Sequence, residues 1–300
     1  MVGEIFVPAV LSEVRTVDPG EIRIIGLSLQ ETYEIEGKRV PVHDHMRPGN
    51  AFLARPMGAR SGKLRRRMYT RSNCAGLANR YLETVINHTH EEKADTSVWW
   101  QSEEVETLHR SGGTIDIRVD LSPDGTHLSV YENSADCKPA NLRLEPDDEW
   151  PRMQMLAIAL STGITPFLAH LRYMKAHHFG RAASSPGCRF LLIASVRNPR
   201  QLMEHDFLRD LEREFPDNFR YVPVLTREWP PDWQYGKGRI IKATAEGEAA
   251  KVDLSPLLEI APDIEQWHVR LCGSAPARNQ LMQGLLQRGI RLPSFRSEVW

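Results

Sequence analysis

The chain changes periodicity once, near Trp150, and that change constrains its fold more than any other feature. Ahead of it, short apolar runs alternate with turn residues. Beyond it, apolar runs alternate with helical stripes. Strands are predicted in the first half at residues 21–29, 32–42 with a Glu36-Gly37 turn, 51–54, 66–70, 81–87, 114–121 and 127–131. Pro123-Asp124-Gly125 between the last two is a hairpin signal. Short strands at this density predict an antiparallel β-barrel. After Trp150, residues 153–160 form an apolar run broken only by Gln154, as suits a strand buried on both faces. Thr165 and Pro166 then open a helix whose Phe167, Leu168, Leu171 and Met174 share one face. Strands at 189–196, 220–226 and 267–272 alternate with helices at 199–215 and 276–288, the last stopping at Gly289, and residues 254–260 suit a short helix. This order predicts a doubly wound parallel α/β domain. The expected domains are 1–150 and 151–300, with a polar linker at 133–149.

Composition excludes several classes. With 41% hydrophobic and 26% charged residues the chain is globular rather than disordered or fibrous. No apolar run reaches the roughly 20 residues of a membrane span, and the N-terminal stretch lacks a signal peptide's basic and apolar regions, so a cytoplasmic location without a membrane partner is expected. Cys74, Cys137, Cys188 and Cys272 are scattered, which argues against a disulfide framework, a zinc site or an iron-sulfur cluster. His88, His90 and His109 lack ligand spacing and read as loop histidines, so no metal is expected. The net charge of −1 hides a basic block: between Asp44 and Glu83 there is no acidic residue, yet nine arginines and lysines fall there. Such a block attracts polyanions, nucleic acid among them, or is simply solvated.

In open parallel sheets, ligands bind beyond the carboxyl ends of the strands. Ser161-Thr162-Gly163-Ile164-Thr165-Pro166 leads from a strand into a helix and puts amides and hydroxyls where a pyrophosphate is stabilised, although such helix starts also occur without a ligand. The next two strands end in Val196-Arg197 and Thr226-Arg227-Glu228, and Arg239 follows in Gly238-Arg239-Ile240. Guanidinium groups there suit a 2'-phosphate and so NADPH over NADH; any one of them alone equally suits solvent. The last strand ends in Leu271-Cys272-Gly273-Ser274, whose glycine permits close approach by a ligand, while a lone cysteine is more often a small buried apolar group.

The order of these segments resembles the ferredoxin–NADP reductase family, particularly its bacterial type. The matching pieces are Arg47-Pro48-Gly49-Asn50, Arg67-Met68-Tyr69-Thr70, the 161–166 loop, Thr226-Arg227-Glu228 with Gly238-Arg239-Ile240, Leu271-Cys272-Gly273-Ser274, and Ser297-Glu298-Val299-Trp300. The resemblance implies FAD and NADPH as cofactors. By the same match Arg67 would bind the FAD pyrophosphate, Tyr69 would stack on the isoalloxazine and the Thr70 hydroxyl would lie near flavin N5. Thr162, Gly163 and Thr165 would cradle the NADPH pyrophosphate, and Arg197, Arg227 and Arg239 would hold the 2'-phosphate. Cys272, with Gly273, would border the nicotinamide, Trp300 would cover part of the flavin, and Glu298 would be a proton source.

On this reading the chain passes electrons singly to ferredoxin or flavodoxin, acidic proteins that would dock on the basic stretch 55–71, which includes Arg55 and Arg71, and nucleic acid is disfavoured. One segment departs from the family pattern. Residues 87–113, with Trp99-Trp100 and a predicted helix at 103–110, read as an insertion, which makes Ser129 the displaced contact to the FAD phosphates. The strand that should complete the barrel is obscure within 135–149. Two further readings stay open: the reductase component of an oxygenase or multisubunit redox complex, and a flavin-free scaffold with the same fold.

Overall fold

The longest strand of the first half is one the sequence pattern hides. In the computed structural model, which describes residues 4–74, 80–88, 95–132, 142–243 and 251–299, β1 (Ile5–Asp18) pairs antiparallel with β2 (Ile22–Ser28). Pro8 and two register shifts, at Leu11/Glu13 and Thr16/Asp18, break its alternation, so no two-residue period survives to be read.

The remaining strands of this unit are β3 (Thr32–Ile35), β4 (Lys38–His43), β5 (Ala51–Arg55), β6 (Arg67–Thr70) and β7 (Tyr81–Asn87), followed by α1 (Asp95–Trp100), α2 (Glu103–Arg110), β8 (Thr114–Leu121) and β9 (Leu128–Val130). They form one curled sheet of order β3-β4-β9-β8-β1-β2-β7, with β5 pairing both β6 and β8. Every pair is antiparallel except β4 with β9. The expected barrel is thus a half-barrel. The turn at Glu36-Gly37 uses left-handed backbone at both residues, which explains how β3 and β4 fold back so tightly.

Residues 95–110, expected within an insertion, belong to the core of this sheet. Trp99 is 3% exposed, Trp100 1% and Val105 0%, and all three pack with Phe52, Ile115 and Ile117. Arg23 of β2 fastens the corner between the helices, donating to the carbonyls of Trp100 at 3.1 Å and Ser102 at 3.0 Å and pairing with Glu106. A cation placed on the last carbonyls of a helix satisfies acceptors that the helix itself leaves open.

The second unit contains β10 (Gln154–Leu160), α3 (Thr165–Ala176), β11 (Arg189–Val196), α4 (His205–Glu214), β12 (Phe219–Leu225), β13 (Gly236–Lys237), β14 (Lys242–Ala243), β15 (Val252–Asp253), α5 (Ser255–Ile260), β16 (His268–Gly273), α6 (Ala275–Gln287) and β17 (Ser294–Val299). Six strands form a sheet of order β13-β12-β11-β10-β16-β17, all parallel. The order reverses at β10, which makes the sheet doubly wound. Residues 155–159 of β10 are completely buried, consistent with its apolar run. Edge strand β17 escaped prediction because Ser-Phe-Arg-Ser-Glu-Val shows no apolar run. Within this unit Arg270 of β16, 2% exposed, is paired with Glu145, 4% exposed. Burial opposes ionisation of Glu145, yet Arg270 carries its carboxyl below the ordinary value.

By internal contacts the division falls after Arg143: Met1–Arg143 with Leu168–Tyr173, the middle of α3, and Leu144–Phe167 with Met174–Trp300. Among the described residues no helix is long and apolar enough to cross a membrane.

Candidate functional site

In the first unit the residues matched to flavin binding lie on β6, the short strand paired with β5 through Phe52↔Tyr69 and Ala51↔Thr70. Arg67 is exposed and has no carboxylate partner among the described residues. That leaves its guanidinium available to an anion. Tyr69 is half-buried: its ring lies 6.0 Å from Phe52 and 6.0 Å from Trp100, and its hydroxyl accepts the Trp100 indole N–H at 2.8 Å. Thr96, in the first turn of α1, also bonds that hydroxyl. Burial, opposed by these hydrogen bonds, pushes the Tyr69 phenol up to about 12. Because the folded state holds this proton more tightly than the unfolded chain, where the value is 10.0, its contribution to stability is full below pH 10 and declines as pH rises to about 12. Burial raises Tyr33, Tyr81 and Tyr221 as well, so spectrophotometric titration should show several late tyrosinates, one of which Tyr69→Phe removes; loss of an early tyrosinate instead would reject this burial.

The end of β6 is held by a buried polar network that the sequence analysis missed. Arg71 is 0% exposed. Its side chain pairs with Asp44 at 2.7 Å and donates to Asn73 at 2.6 Å and to the Tyr81 carbonyl at 2.7 Å. Its backbone amide donates to the Asn50 carbonyl, and Thr84 donates to the Thr70 carbonyl, both fixing the backbone on either side of the Thr70 hydroxyl. Ser129 lies elsewhere, within β9 between β4 and β8. Its hydroxyl is on the half-buried side of a sheet strand, not in a turn with free amides. Trp300 and His90 lie outside the described residues, as does 135–141 of the segment expected to complete the barrel.

Four of the nine cations of the basic block pair with carboxylates within their own unit. Arg55 pairs with Asp116, Arg65 with Asp95 at 3.8 Å and Arg66 with Glu4 at 2.6 Å. Arg71, expected among the docking residues, cannot dock anything because it is sealed in the core with Asp44. Lys63 and Arg67 remain exposed without a carboxylate partner among the described residues.

In the second unit a pocket of about 420 Å³ opens at the carboxyl ends of β10, β11, β12 and β16, where parallel sheets bind ligands. Leu160, Ser161, Ser195, Arg197, Thr226, Arg239, Ser274 and Gln280 are among the residues that line it. The lining combines hydroxyls, two guanidinium groups and the start of α6, where Ser274 caps the helix by accepting from the Ala277 amide at 3.4 Å. Ser161 adopts left-handed backbone, φ 52, at the turn from strand to helix. Strain of that kind persists only where surrounding packing fixes it, and it aims the Ser161 side chain's neighbourhood into the pocket.

Two loops are stapled together at this pocket. The amides of Arg227 and Glu228 both donate to the Arg197 carbonyl at 3.0 Å, and the Thr226 amide donates to the Val196 carbonyl at 2.8 Å. Arg197 and Arg227 are thereby held side by side. All three arginines are exposed, and neither Arg227 nor Arg239 has a carboxylate partner among the described residues.

Thr162, Gly163 and Thr165 are buried and are not among the residues that line the pocket. The Thr165 hydroxyl donates to the Thr162 carbonyl at 2.6 Å. Gly273 is needed for packing: a Cβ there would lie 2.8 Å from Leu160 side-chain atoms. Cys272, 2% exposed, pairs in register with Glu298 of β17. Burial first and the Glu298 carboxylate second push its thiol well above the ordinary value, so it is a neutral, polarisable group rather than a thiolate. Ser195, Ser274 and Gln280 were not anticipated; the helix-capping Ser274 before Pro276 was the one readable signal. Among the described residues no group of three or more His, Cys, Asp or Glu side chains could hold a metal ion.

A half-barrel followed by a doubly wound parallel sheet with a polar pocket at its strand ends defines a protein of the ferredoxin reductase-like fold. Residues 158–281 match the oxidoreductase NAD-binding domain. The chain is similar in structure to the cytochrome P450 reductase GcoB of Amycolatopsis, with 20% identity and a TM-score of 0.66 over 99% of this chain and 70% of that one. It is similar to the flavohem-like FAD/NAD binding domain of a nitric oxide dioxygenase from Vibrio cholerae, with 14% identity and a TM-score of 0.61 over 98% of each chain. A ferredoxin NADP+ reductase from Neisseria gonorrhoeae, with bound FAD and NADP, gives 16% identity and a TM-score of 0.59 over 98% of each chain. No curated protein matches the sequence.

Proposed function

We propose that the chain is a flavin-dependent reductase that takes hydride from NADPH and delivers electrons singly to a separate redox protein. The observation that carries this reading is the pocket of the second unit, where hydroxyls and the exposed Arg197 and Arg239 meet at the strand ends, with the exposed Arg227 in a loop whose backbone bonds that of Arg197. Arginine pairs bidentately with phosphate, and clustered guanidinium groups suit the doubly charged 2'-phosphate of NADPH.

Flavin binding is assigned to β6. The exposed Arg67 suits the pyrophosphate, the half-buried Tyr69 ring suits a flat heterocycle, and Thr70 supplies a hydroxyl beside it. FAD would supply the conversion of a two-electron donor into a one-electron donor. The protein's own residues orient the dinucleotide through the arginines, keep Cys272 neutral beside the site and exclude water with the apolar ends of β10 and β16. Glu298, in register with Cys272, is the proton-handling group of this proposal.

The acceptor proposed is ferredoxin or flavodoxin, met by Lys63 rather than by the whole basic stretch. A second reading, reductase component of an oxygenase, is supported by the likeness to GcoB over nearly the entire chain. On either reading a cytoplasmic location is proposed.

Purified protein reconstituted with FAD should be yellow and should bleach anaerobically faster with NADPH than with NADH. Protein that takes up no FAD would favour the flavin-free scaffold. Catalysed reduction of a ferredoxin or flavodoxin panel, against an oxygenase partner, separates the two enzyme readings.

A further inference from the structure

We infer that Trp100 is a positioning residue for the flavin platform: its indole N–H holds the Tyr69 ring in a fixed orientation before any cofactor arrives. The inference rests on the assignment of flavin binding to β6. Trp100 donates to the Tyr69 hydroxyl at 2.8 Å, with the two ring planes at 88°. The donor cannot drift. Trp100 is 1% exposed, lies against Trp99 at 4.9 Å, and has its carbonyl clamped by Arg23 at 3.1 Å. On the neighbouring strand Phe52, 0% exposed, backs Tyr69 as its cross-strand partner.

Tyr69 is therefore held at its hydroxyl by α1 and along its ring by β5, while part of the side chain stays exposed. An aromatic platform that must be ordered by its ligand binds more weakly than one ordered beforehand, because the lost side-chain freedom is charged against binding. A buried bond between two uncharged groups has a modest net worth, so removing it should weaken cofactor binding about fivefold. The same helix that reads in sequence as an insertion thus acts on the cofactor through the Tyr69 hydroxyl, which Trp100 and Thr96 both bond.

The test is a double-mutant cycle on the full chain with Trp100→Phe, Tyr69→Phe and the double variant, reading the FAD dissociation constant from flavin fluorescence and the rate of flavin reduction by NADPH. Trp100→Phe should raise the dissociation constant about fivefold, Tyr69→Phe, which loses the Thr96 bond too, at least as much, and the double variant should be no worse than Tyr69→Phe alone. The thermal midpoint should fall further for Trp100→Phe, which loses packing as well as the bond, than for Tyr69→Phe, which strands the buried indole N–H; affinity losses that do not follow the stability losses are what a merely structural tryptophan would not produce. Additive losses, about 25-fold in the double variant, overturn the inference. Should Trp100→Phe fail to fold, Tyr69→Phe decides alone, and an unchanged constant overturns it. Wild-type protein that takes up no FAD overturns the flavin assignment itself, whereas normal uptake with additive losses overturns only the role of Trp100.

Discussion

Replacing Arg71 with methionine is expected to cost about 3–5 kcal/mol of stability, because it strands a buried carboxylate. The Asp44 side chain is 1% exposed and so is that of Arg71. One Asp44 oxygen takes the Arg71 bond and the other makes no hydrogen bond among the described residues. Removing the cation therefore leaves a charge with neither water nor counter-ion. The same change frees Asn73 and the Tyr81 carbonyl from their Arg71 donors, so the backbone that follows Thr70 should loosen as well. Urea unfolding monitored by tryptophan fluorescence is the measurement. Removing both charges, Arg71→Met with Asp44→Asn, should recover much of the loss, and a single variant less than 1 kcal/mol below wild type would show that the pair contributes little.

The second large effect concerns nucleotide choice. Arg239→Ala is expected to weaken NADPH by about 1.5–3 kcal/mol, roughly ten- to a hundredfold, while NADH use changes little. Arg239 lines the pocket, and among the described residues it has no carboxylate partner to be rearranged by its loss. Arg227→Ala should act in the same direction, since the amides of residues 227 and 228 hold it against Arg197. The comparison of kcat/KM for the two nucleotides is decisive, because a general disturbance of the pocket would lower both. Equal losses would remove the 2'-phosphate role from these arginines.

Much of the second unit was legible because its signals are local. A strand buried on both faces must be apolar throughout, as residues 155–159 of β10 are, and Gly289 with Pro276 brackets α6. That Arg197 follows β11 and borders the pocket was legible too, since the loops beyond parallel strands are where ligands bind. What escaped was set by tertiary context. The bulges of β1 erase its period, and β17 is an edge strand whose partners lie in β16 rather than in its own pattern.

Helix α1 is short, and nothing in its sequence says that Trp99 and Trp100 enter the core beneath β6; only the fold brings Trp100 to Tyr69. The basic block misled for a related reason. Runs of arginine advertise charge, but whether the charge reaches solvent depends on Asp116, Asp95, Glu4 and Asp44, all of which lie well outside or at the edge of the run.

The central position of β10 has a bearing on how the chain is made. Its register joins Ala157 to Leu192 on one side and to Arg270 on the other. A ribosome delivers the first neighbour soon after β10 and the second only near the end of translation. Until then the middle of the sheet waits with an open flank, and Ser274 and Gln280 have not yet closed their side of the pocket. Slow, late closure of this kind follows from contacts between distant parts of a sequence. Nucleotide competence is therefore among the last properties a nascent chain acquires.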